Sequence, residues 1–131
     1  MLAAIAAVEE LGEPPREQLR KVVAIVLRTW KHDPDLVRVL VREVTRTPHL
    51  QSEVTEIQRA FDALERIIAR GQASGAFKAG LEPRLAGWSL YGALEEILTG
   101  WVMGQLPGGD DDVARAERVV VELYCDGLCV D

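Results

Sequence analysis

Cysteine, histidine and aromatic residues are scarce in this chain of 131 residues, which has two Cys, two His and only 5% Phe, Trp and Tyr combined. Cys125 and Cys129 stand four apart, which is not the C-x-x-C spacing of a zinc site, and no second Cys/His pair complements them. They read as small hydrophobes, and neither a metal nor a cofactor is expected. Long apolar runs are missing too. None approaches the ~20 residues of a membrane-spanning helix, and the apolar opening MLAAIAAV lacks the basic stretch and cleavage signal of a secretory leader. A cytoplasmic protein with no membrane contact is the expectation. No H-E-x-x-H, G-x-S-x-G, P-loop or G-x-G-x-x-G motif occurs, so nothing in the residues supports an enzyme. Clustered basic charge is also lacking. The net charge is −6; residues 1–78 are near neutral with 12 basic and 11 acidic side chains, whereas residues 79–131 carry 3 and 10. That balance argues against direct nucleic-acid contact, which needs Lys and Arg gathered on one surface.

What the chain does have is helical periodicity, interrupted at regular intervals by Pro and Gly. An Ala-rich helix over residues 2–11 ends at Gly12 and the Glu13-Pro14-Pro15 break. A second helix, Pro15 to Lys31, carries a broad apolar stripe of Leu19, Val22, Val23, Val26 and Trp30. Asp33 caps a third with Pro34 at its first position. This helix runs to about Thr47, its Arg38, Arg42 and Arg46 reading as a solvated face rather than an anion site. The fourth, Leu50 to Ala73, holds Leu50, Val54, Ile57, Phe61, Leu64, Ile68 and Gly71 in a 4-3-4-3 seam for packing on other helices. The fifth, Pro83 to Gly104, is introduced by Glu82-Pro83 and stopped by Pro107-Gly108-Gly109. The last, Asp111 to Asp126, opens on an acidic triplet that suits the positive end of a helix. Its apolar seam is Val113, Ala116, Val120, Leu123 and Gly127. With no run of period two, the fold class is all-α: an antiparallel bundle of five to six helices in one domain spanning residues 1–131.

The fifth helix stands out because it contains four glycines, Gly87, Gly92, Gly100 and Gly104, along with Trp88, Tyr91 and Trp101. Each helical glycine costs up to about 1 kcal/mol against alanine, so close approach by another helix or a ligand is expected there. Pockets between bundled helices are mostly apolar with a few placed polar groups. The candidates for such a site are Trp30, His32, Glu43, Phe61, Trp88 and Tyr91, with His49, Gln58 and Ser89 as further polar groups. Glu95-Glu96 is an adjacent carboxylate pair of which at most one faces inward.

The run Gly71-Gln-Ala-Ser-Gly75-Ala-Phe77, followed by Glu82-Pro83, Ala86, Leu90, Gly92-Ala93-Leu94 and Trp101, resembles the C-terminal regulatory domain of TetR-family transcriptional repressors. Asp33-Pro34-Asp35-Leu36 with the Arg/Glu-bearing helix after it is similar to the subset that senses fatty acyl-CoA or related lipids. The resemblance implies a pocket for a small apolar effector among the earlier helices and a homodimer formed by the last two. The dimer-face residues would be Gly92, Leu94, Leu98, Gly100, Trp101, Val113, Ala116, Val120 and Leu123. The helix-turn-helix headpiece of that family has no counterpart in the sequence, so the N-terminal DNA-binding domain is expected to be absent. The competing expectation is a free-standing helical homodimer that sequesters a lipid-like ligand or a protein partner.

Overall fold

The computed structural model describes residues 2–32 and 51–130, the backbone alone for Leu2 and for 51–57. Its elements are α1 (Leu2–Leu11), α2 (Pro15–His32), α3 (Gln51–Ala73), α4 (Pro83–Val102), α5 (Asp110–Val120), a π-helical turn (Val121–Cys125) and a short α6 (Asp126–Leu128). The protein is all-α, the described residues otherwise holding one isolated bridge between Phe77 and Cys129. The third helix expected from Asp33 to Thr47 lies outside the described residues.

Local chemistry accounts for the helix ends. Pro83 stands at the start of α4, and the Glu82 carboxylate accepts from the Leu85 N–H at 2.7 Å, satisfying one of the donors a helix start leaves unpaired. Asp110, Asp111 and Asp112 occupy the first turn of α5, where Asp112 accepts from the Gly109 N–H at 3.0 Å. Gly104 closes the far end of α4 with φ +70°. The chain then folds back so that the Gln105 and Leu106 N–H groups both donate to the Gly100 carbonyl.

The core runs through all the described elements. Ile5 and Val8 of α1 join Leu19, Val23, Leu27 and Trp30 of α2, Leu64, Ile67 and Ile68 of α3, and Leu90, Leu94 and Leu98 of α4. The most extensive helix pairing among the described residues is α3 on α4. A Cβ on Gly87 would sit 3.5 Å from the Leu64 Cβ and 3.6 Å from the Glu65 backbone nitrogen, ordinary contact distances, so this glycine faces the neighbouring helix at a point where an alanine would also fit. The other glycines of α4 serve different ends. Gly100 makes room for its own subunit's Leu106, Gly104 supplies the left-handed turn, and Gly92 has nothing within 4 Å. The G-x-x-x-G spacing at Gly100–Gly104 is therefore a helix-ending device.

The seam expected in the last helix breaks at the π turn. A π-helical turn takes one more residue than an α turn, and it rotates everything after it. Val113 and Val120 are buried as the seam requires, but Val121, Cys125 and Leu128 then take over the inward face and Leu123 is left 68% exposed. The chain end is tied down by Lys78 N–H donating to the Leu128 carbonyl (2.7 Å) and Val130 N–H to the Ala76 carbonyl (3.0 Å).

Candidate functional site

Four of the aromatic candidates converge. Trp30, near the end of α2, is fully buried and meets Tyr91 of α4 edge to face, with ring centres 5.4 Å apart and planes at 85°. Tyr91 leans on Phe61 of α3 at 4.2 Å. Phe61 in turn stacks on Trp88 at 4.1 Å with planes only 6° apart. Trp88 ends the series half in solvent, 49% exposed. The four rings form a continuous stack from the core to the surface, carried by three helices. The local cause is spacing. Tyr91 belongs to the buried face of α4 with Gly87, Leu90, Leu94 and Leu98, and Trp88, three residues earlier, flanks that face.

Burial holds the Tyr91 phenol above its ordinary range, and the Glu95 charge nearby pushes the same way. The hydroxyl therefore remains a neutral donor across the physiological range. The rings pack on one another as an aromatic, apolar cluster, with Trp88 the ring most open to solvent.

The other candidates are not part of the stack. His32 is exposed and lines a shallow groove of about 280 Å³ with Arg28, Lys31, Asp110, Val113, Ala114 and Glu117. Glu43 and His49 lie outside the described residues. Gln58 and Ser89 are exposed. Trp101 is partly buried elsewhere: its Nε1 donates to the Pro107 carbonyl at 3.1 Å and the Lys31 ammonium lies 5.5 Å above its ring. It anchors the α4–α5 loop to its own subunit.

Several residues expected on a dimer face are core residues instead. Leu94, Leu98, Val113 and Val120 are between 0% and 7% exposed within their own subunit, and Ala116 packs partly against the same core. Their side chains leave no surface for a second copy, because the helix faces that look most apolar in sequence are the ones the subunit itself buries. Gly100 is filled by Leu106. Gly92 and Leu123 do face outward. Also exposed are residues the sequence did not single out for this role: Leu81, Leu85 and Val119, by 43%, 71% and 52%. Leu85, Ser89, Gly92 and Glu96 recur at spacings of 4, 3 and 4 on the side of α4 away from Leu94 and Leu98. That second periodicity was available in the sequence, hidden beneath the stronger apolar one. A groove of about 270 Å³ lined by Leu81, Ala86, Ser89, Leu123, Tyr124, Gly127 and Leu128 joins the two outer ridges.

A helical core with an aromatic stack and an outward apolar row defines an all-α domain. Residues 15–93 match the model of the tetracyclin repressor-like C-terminal domain family. The chain belongs to that family. It is also similar to the fatty acid metabolism regulator protein of Bacillus subtilis (strain 168), 27% identical over an alignment 129 residues long that covers 92% of this chain. The chain spans 65% of that relative's length.

Proposed function

We propose that this chain is the ligand-sensing and self-associating domain of a TetR-type transcriptional regulator, and that its effector is small and largely apolar. The aromatic stack carries this reading. Four rings contributed by three helices end in a half-exposed indole, and such an arrangement binds apolar or conjugated groups better than it serves proton or group transfer. Similarity to a regulator of fatty acid metabolism supports a lipid-like effector, with the fatty acyl-CoA class as the first to try. The exposed row of Leu85, Ser89 and Gly92 on α4, with Val119 and Leu123 beyond it, suits a twofold contact between copies, where each subunit presents the same patch. DNA binding belongs to whatever else the regulator carries. Effector occupancy of the α2–α3–α4 site would alter transcription by changing the arrangement of the two subunits.

Native mass spectrometry of the protein isolated from cells under gentle conditions tests the reading. A dimer retaining a low-mass apolar compound that Trp88→Ala or Phe61→Ala no longer retains is the expected result. A dimer that carries no small molecule and binds none of a panel of fatty acids and their thioesters would count against a sensing role.

A further inference from the structure

The aromatic stack and the outward ridge meet at one side chain. Trp88 sits three residues after Leu85 and four before Gly92, which makes all three neighbours on the surface of α4. Side chains on a helix lean toward its N-terminus, so a residue at position 92 would ordinarily cover the indole. Gly92 has no side chain, and a Cβ there would meet nothing within 4 Å. The C-terminal side of Trp88 is thus left open on the ridge that would meet a second copy. The other side of the indole is not free. Phe61 stacks against it with planes 6° apart, and Phe61 is held by Tyr91, which rests on the fully buried Trp30.

We infer that Trp88 couples the stack to self-association: the buried Trp30 of α2 and Tyr91 of α4, acting through the partly buried Phe61 of α3, set the orientation of an indole that forms the edge of the contact between copies. The inference rests on the dimer face proposed above and adds a regulatory consequence. A ligand that enters the stack must displace or re-aim Trp88, and the affinity of one copy for another changes by the same factor that dimerisation changes ligand affinity. Effector and assembly would then be linked through one side chain, with no movement required of the rest of α4.

A double-mutant cycle read by sedimentation equilibrium tests this without knowledge of the ligand. Dimer dissociation constants are measured for the wild type, Phe61→Leu, Trp88→Leu and the double variant, with far-UV circular dichroism to establish that each is folded. Phe61→Met, which keeps more of the ring's volume, replaces Phe61→Leu if the latter fails to fold. The expected result is a change of at least about threefold on altering Phe61 when Trp88 is present, and little or no change in the Trp88→Leu background. Equal effects in the two backgrounds, or no effect in either, overturn the coupling while leaving the dimer face in place. A chain that is monomeric at every concentration overturns the dimer face and the coupling together.

Discussion

Gly71 and Gly92 both lie inside helices, yet their surroundings are opposite. A Cβ at position 71 would fall 2.2 Å from the Cδ2 of Phe77, a ring that is itself 1% exposed and cannot step aside. Gly71→Ala gains up to about 1 kcal/mol of helix propensity and meets an overpacking cost of about 1–3 kcal/mol, so chemical denaturation should register a net loss. Gly92→Ala has no such collision within the subunit and should stabilise the isolated fold by up to about 1 kcal/mol. If Gly71→Ala is as stable as the wild type, the placement of Phe77 is wrong. Cys125 gives a second check. Burial pushes its thiol up to about 12, so it stays protonated and shielded at neutral pH. Alkylation mapped by mass spectrometry should leave Cys125 unmodified in the native protein and label it after unfolding; rapid native labelling would contradict its burial.

Elements were legible in the sequence to different degrees. Helices bounded by Pro, Gly and a capping acid were read almost to the residue: α1 ends before Gly12, α2 starts at Pro15, and α4 starts at Pro83 behind Glu82. The π turn was not legible, because its defining feature is one extra residue per turn rather than any residue type, and the 3-4 seam across Val120 and Leu123 runs straight through it. Ties between elements were equally silent. Glu9 of α1 accepts from Arg66 (2.8 and 3.2 Å) and Arg70 (3.0 Å) of α3, a pairing across more than fifty residues that no local pattern announces. The hydrogen bond from Arg66, assisted by that from Arg70 and opposed by burial, holds the Glu9 carboxyl below its ordinary 4.5. A lowered folded pKa contributes stability above the unfolded value, and that contribution disappears as pH falls through the folded value. Glu9→Gln should therefore lower stability at neutral pH by about 1–2 kcal/mol. The difference in melting temperature from the wild type should shrink once pH drops below about 4.5 and vanish at still lower pH. A difference that stays constant down to strongly acidic pH would show that the clamp is not electrostatic.

At the scale of the whole molecule, the sequence conveyed the family and the fold class, but four of the residues it offered for assembly are buried in the subunit's own core. Apolar periodicity reports burial and cannot say by what. Leu94, Leu98, Val113 and Val120 satisfy a dimer seam and a subunit core equally well, and the core took them. What remains outward is a weaker row in which Gly92 and Ser89 alternate with Leu85, continued by Val119 and Leu123. Leu123 and Leu85, exposed by 68% and 71%, can be changed without disturbing the fold, which makes them the most direct probes of the proposed assembly. Sedimentation velocity across the micromolar range should find the wild-type chain dimeric and Leu85→Lys and Leu123→Lys monomeric, all three with the same helical circular dichroism. A wild type that sediments as a monomer, or charged variants that remain as dimeric as the wild type, would contradict the account.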